Sequence, residues 1–74
     1  MKATDAVKEI MKVKGIRKVD LRRRLGLESN TMSNRLDQED ISIVKLNEML
    51  RVMDYKVVIM PRESRIGTDA YEVE

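Results

Sequence analysis

Apolar residues recur along the first 53 positions at the three-to-four spacing of a helix, and glycines or clusters of polar residues interrupt the repeat. Ala6, Val7, Ile10 and Val13 form a first stripe. Thr4 is placed to cap it, Asp5 favours its N-terminal dipole, and Lys8, Lys12 and Lys14 lie off the stripe. Gly15 is expected to close this helix, with Ile16 folding back on its end. A second helix is expected over 18–25, with Val19, Leu21 and Leu25 inward. Gly26 supplies a left-handed turn without steric cost, and Leu27 packs within that turn. A third helix is expected over 29–36, with Met32 and Leu36 inward at i, i+4. The polar residues 37–40 form a loop. Ser42 then caps a fourth helix over 43–53, whose apolar positions are Ile43, Leu46, Met49, Leu50 and Met53.

The period changes at Tyr55. Residues 55–60 are nearly all apolar and rich in β-branched side chains, and Pro61 stops them, so they predict a strand. Val57 and Ile59 then point to one face, Val58 and Met60 to the other. A lone strand leaves its backbone groups unpaired. With no second strand evident in the chain, the expected partner is the same strand of another copy. Tyr55, Val57, Val58, Ile59 and Met60 would then make an antiparallel ribbon across a dimer axis. Residues 63–74 are acidic and show no helical stripe, which predicts a mobile tail beyond a domain of 1–62. The fold class expected is mainly α: four helices plus one C-terminal β-strand that pairs across a dimer. Met32, Met49, Met53 and Met60 all fall at expected core positions, where an unbranched side chain packs adaptably.

A chain of 74 residues makes one small domain, near the lower limit for a self-sufficient core, and dimerisation commonly supplies the missing burial. With no cysteine, disulfides and thiolate metal sites are excluded. With no histidine, the commonest general base and metal ligand are missing too. No Gly-rich phosphate loop or paired-carboxylate arrangement is present, so neither an enzyme nor a cofactor is expected. No apolar run approaches the roughly 18 residues of a membrane span, and the N-terminus lacks the apolar block of a signal peptide. A reduced, cytoplasmic setting is the expectation, with no membrane partner.

The net charge of +2 conceals an asymmetry. Residues 1–35 hold ten Lys/Arg against Asp5, Glu9, Asp20 and Glu28, whereas residues 63–74 are net acidic. Charge gathered in one half is the footprint of a polyanion binder. It coincides with the stretch 18–36, KVDLRRRLGLESNTMSNRL, in which two short amphipathic segments meet at Gly26. The second segment carries Ser29, Asn30, Ser33 and Asn34, short side chains that suit the reading of base edges and add little to a core. Double-stranded DNA is therefore the leading partner. Arg22, Arg23 and Arg24 cannot all face it, because consecutive residues point about 100° apart on a helix.

Laid out this way, residues 6–60 resemble the lambda-repressor-like helix-turn-helix family, the class of Cro and phage repressors. The resemblance rests on the four-helix order, on LRRRLGL with Gly26 at the turn, on TMSNRL, and on ISIVKLNEMLRVMDYKVVIM. The last block is similar to the variant with a C-terminal dimerisation strand, as in HipB-type antitoxin regulators. The resemblance implies a recognition helix in the major groove, with Ser29, Asn30 and Asn34 at the reading positions and Ser33 beside them. It implies a phosphate clamp at Lys18, to which Arg17, Arg23, Thr31 and Arg35 are added as further phosphate candidates. It implies a homodimer acting on a palindromic operator, as a repressor. Two positions depart from the family pattern: Arg22 stands where an alanine is usual, and Glu28 where a Ser or Thr opens the recognition helix. The rival reading is an antitoxin or anti-repressor whose main task is to hold a toxin or another regulatory protein.

Overall fold

In the computed structural model, which describes residues 1–63 and 70–73, four helices are followed by a hairpin. They are α1 (Ala3–Lys14), α2 (Lys18–Leu25), α3 (Ser29–Asp37), α4 (Ile43–Arg51), β1 (Val57–Ile59) and β2 (Tyr71–Val73). The architecture is mainly helical, with a small two-stranded antiparallel sheet. No helix among the described residues is long and apolar enough to cross a membrane.

Three of the four helices end in the same hydrogen-bonded motif. Its sixth residue donates its N–H to the carbonyl of the first, and the fifth, in the left-handed conformation, donates to the second. Ile16 donates to Met11 and Gly15 to Lys12. Leu27 donates to Arg22 and Gly26 to Arg23. Tyr55 donates to Leu50 and Asp54 to Arg51. The left-handed residues are Gly15 (φ 66°), Gly26 (φ 67°) and Asp54 (φ 64°). In the first two cases the residue after the glycine, Ile16 or Leu27, turns back to pack against the core, as expected.

The start of α1 differs from expectation. Lys2 is the capping residue, and its backbone N–H donates to Asp5. Thr4 lies inside the helix, buried, with its hydroxyl donating to the carbonyl of Gln38 at 2.9 Å. Its value is tertiary: it ties α1 to the end of α3. Two surface pairs add to that seam, Lys2–Glu39 at 2.6 Å and Lys8–Asp37 at 3.8 Å. Ser42 does cap α4, accepting from the Lys45 N–H.

The core is Val7, Met11, Leu21, Met32, Leu36, Met49, Leu50 and Met53, with Ile10, Ile16, Leu25, Leu27, Ile41, Leu46, Val52 and Val57 packed around it. Of the residues expected in the core, Val13 and Ile43 are exposed, while Ala6, Val19 and Met60 are half-buried and lie outside this cluster. Val13 is 78% exposed, because it lies about 200° around the helix from buried Met11. Ile43 is 52% exposed: it opens α4 one turn beyond the end of the core, while Ile41 from the preceding loop packs there instead.

The C-terminal part corrects a second expectation. Residues 57–59 form the strand, shorter than 55–60, and they pair within the same chain: Val57 opposite Val73, Val58 opposite Glu72, Ile59 opposite Tyr71. A salt bridge, Lys56–Glu72 at 2.6 Å, crosses the pair. The chain thus supplies a strand of its own, and residues 71–73 are not part of an unstructured tail. Three alternating residues, YEV, are enough because β1 offers an edge and Val57 is already anchored on the core. The rest of the expected tail, 64–69 and 74, lies outside the described residues.

The left-handed positions give a paired test. A Cβ at Gly26 would meet nothing within 4 Å, so the cost of Gly26→Ala is conformational only, about 1–2 kcal/mol. Asp54→Gly relieves the same constraint and is expected to be neutral to stabilising, within about 0.5 kcal/mol. Urea unfolding of both variants measures this, and equal effects from the two would be the wrong result.

Candidate nucleic-acid interface

Met32 and Leu36 press one side of α3 into the core. That fixes its rotation and turns Ser29, Asn30, Thr31 and Asn34 outward, all exposed. Among the described residues, none of these four side chains makes a hydrogen bond. Ser33, half-buried, accepts a hydrogen bond from the Lys18 ammonium at 3.2 Å. The start of α2 is thereby brought beside the middle of α3, and a cation stands at the edge of its polar side. Glu28 is the residue before α3, exposed and without a side-chain capping bond. Its carboxylate lies at the positive end of the α3 dipole.

Helix α2 begins at an ion pair. Arg17 precedes it, and Asp20 in its first turn accepts from the Arg17 backbone N–H at 3.0 Å, from Nε at 3.1 Å and from Nη2 at 3.2 Å. The guanidinium hydrogen bonds, with the backbone N–H next, hold the Asp20 carboxyl below its ordinary value, and Asp20 in turn raises Arg17. Arg17 is thus at the surface where expected, with its fork already engaged by Asp20.

The three consecutive arginines separate by role. Arg22 donates to the carbonyl of Leu27 at 3.4 Å, spanning the turn. Arg24 donates to the carbonyl of Val52 at 3.1 Å, tying α2 to the end of α4. Arg23 is exposed and makes no hydrogen bond or ion pair among the described residues, so its charge is available to a ligand.

Arg35 does not take the surface position expected of it. Its side chain is only 12% exposed, Nη1 reaches Glu48 of α4 at 3.5 Å, and Nε is buried without a partner. Three residues before it Met32, and one after it Leu36, face the core, so the helix rotation that seats them draws Arg35 inward as well. It is a strut between α3 and α4.

Two cations were not singled out by the sequence reading. Lys8 and Lys12 of α1 stand with Lys18 around a groove of about 400 Å³ floored by Met11, Ile16 and Leu36. Their i, i+4 spacing off the apolar stripe was the available signal. Among the described residues, no group of acidic side chains is arranged to hold a metal ion.

Comparison with protein-family models, with curated proteins and with solved structures finds no match to this chain.

Two outcomes follow from these contacts. Asp20 is lowered on folding, so its contribution is complete above the ordinary carboxylate range and is lost as pH falls through its folded value. The protein and Asp20→Asn should differ in stability at pH 7 and converge well below about pH 4, as followed by denaturant titration. Arg35→Met removes a buried donor that lacks a partner and should keep or raise stability. Glu48→Gln, which leaves the guanidinium without its counter-charge, should lower it; thermal unfolding of the two ranks them.

Proposed function

We propose that this chain is a sequence-specific duplex DNA-binding regulator of transcription with a lambda-repressor-like arrangement of its four helices. In this reading α3 lies in the major groove, and two copies related by a dyad read a palindromic operator, as a repressor does. The observation that carries the reading is the two-sidedness of α3. Met32 and Leu36 are buried, while Ser29, Asn30, Thr31 and Asn34 are exposed and uncommitted, with Lys18 alongside.

Asparagine pairs in bidentate fashion with adenine, so Asn30 and Asn34, four residues apart, would each address a base edge, with Ser29 and Ser33 beside them. Lys18, Arg23 and Thr31 would contact phosphate, and Lys8 and Lys12 extend that basic surface. Arg17 contributes once its fork is shared between Asp20 and a phosphate oxygen. Arg35 takes no part. Dimerisation would use the edge of β1 that β2 leaves open, with Tyr55, Val58 and Ile59 exposed along it. A second copy pairing there would extend the two-stranded sheet to four strands, satisfying backbone groups that an open edge exposes.

Selection from random duplex DNA, followed by anisotropy titration, tests this. Asn30→Ala and Asn34→Ala should each lose about 1–3 kcal/mol of discrimination at one base pair. Lys18→Ala should weaken all sequences alike and reduce the salt slope by about one. A purified protein that selects no sequence even at low salt would overturn the reading.

A further inference from the structure

The outward side of α3 carries an acid beside its asparagines. Ser33 touches Lys18 on one flank of the helix, and Arg35 reaches Glu48 on the other. At about 100° per residue, Asn34 stands midway between these flanks, opposite Met32 and Leu36. Asn30 lies about 40° and Asp37 about 60° to the Ser33 side of it. Asn30, Asn34 and Asp37 thus make one stripe at i, i+4, i+7. Asp37 is the last residue of α3, with its side chain 78% exposed.

The fold gains little from this carboxylate. A negative charge in the last turn of a helix opposes the dipole. Among the described residues Asp37 accepts no hydrogen bond through its side chain. Its ion pair with Lys8, at 3.8 Å, is long and exposed, a kind that contributes little to stability. Beside a phosphate backbone the charge would be repulsive, but Lys8 offsets it, and Lys12 and Lys18 keep the surroundings basic. An ionised carboxylate only accepts hydrogen bonds. In the major groove guanine and thymine offer it acceptors, adenine a donor flanked by an acceptor, and cytosine a donor alone.

We infer that Asp37 is a specificity-determining residue on the α3 surface, accepting a hydrogen bond from the N4 amino group of a cytosine. The inference rests on the DNA-binding reading above and adds a base to it. Asp37 lies three residues past Asn34, about 4.5 Å along the helix axis, so its cytosine is about one base-pair step from the pair that Asn34 addresses.

The test is selection from random duplex DNA by the full chain, by Asn34→Ala and by Asp37→Ala, with anisotropy titration of the recovered sites. The unsubstituted protein should prefer cytosine by about five-fold or more at a position adjoining the one that Asn34→Ala relaxes. Asp37→Ala should lose that preference alone, leave the other positions as they were, and melt no lower than the parent. Asp37→Asn keeps the shape and can pair with adenine, so it should admit adenine there; it carries the test if the alanine variant does not fold. Recovery of the same site by Asp37→Ala, with every sequence bound more tightly, would overturn the inference and leave the carboxylate as a repeller of phosphate only. A selected site without cytosine at that position would overturn it while the DNA-binding reading stands. A protein that selects no sequence at all brings down both.

Discussion

Everything in this molecule depends on four short helices burying one another's apolar sides. The longest has 12 residues and the shortest eight, lengths at which an isolated helix in water is marginal at best. Each persists because Leu21, Met32, Met49 and Met53 meet with Val7 at the centre, essentially without solvent contact. The three methionines suit that role, since a straight, rotatable thioether fills the irregular space between short elements that cross over little length. The core is small, so the orientation of each helix rests on one or two inward residues. For α3 these are Met32 and Leu36, and the same two residues decide which side chains the helix offers to solvent.

Long basic side chains do much of the joining around that core. Arg24 closes α2 onto the end of α4, Arg22 spans the turn, and Arg35 braces α3 on α4. Three of the ten cations in residues 1–35 that read as a polyanion-binding cluster are thus spent on carbonyls and a carboxylate within the fold. Within residues 1–35, the cations left uncommitted among the described residues, Arg23 together with Lys12 at the groove, are fewer than the linear charge count suggests, and Lys18 is only lightly held by a neutral hydroxyl. Charge density along a chain overstates the charge available to a partner whenever arginines reach back to helix ends.

The helices were legible because two local signals agree, the apolar period and the glycines at the left-handed ends. The outward residues of α3 were legible for the same reason: once Met32 and Leu36 are assigned inward, Ser29, Asn30 and Asn34 follow. What was not legible required knowledge of the tertiary arrangement. Thr4 looks like a cap and is a tie to Gln38. Arg35 looks like a surface cation and is nearly buried. Ile43 has the right phase for the core but stands beyond its end. The second strand escaped because three residues, Tyr71–Val73, carry too short an alternation to be told from an acidic segment, and only the edge of β1 gives them a reason to extend. Asn47 escaped because an asparagine within an amphipathic helix carries no sign that most of the residue is covered.

The placement of the two tyrosines, the only aromatic residues in the chain, has a spectroscopic consequence. Tyr71 lies in β2, and Tyr55 stands just ahead of β1 beneath the Lys14 ammonium. Tyrosine emission and near-ultraviolet dichroism therefore report on the hairpin and its seam with α1, and are blind to the methionine-filled centre. Far-ultraviolet dichroism reports the helices. The two signals divide the molecule between them, and their coincidence on heating is a direct measure of whether hairpin and helices melt as one cooperative unit.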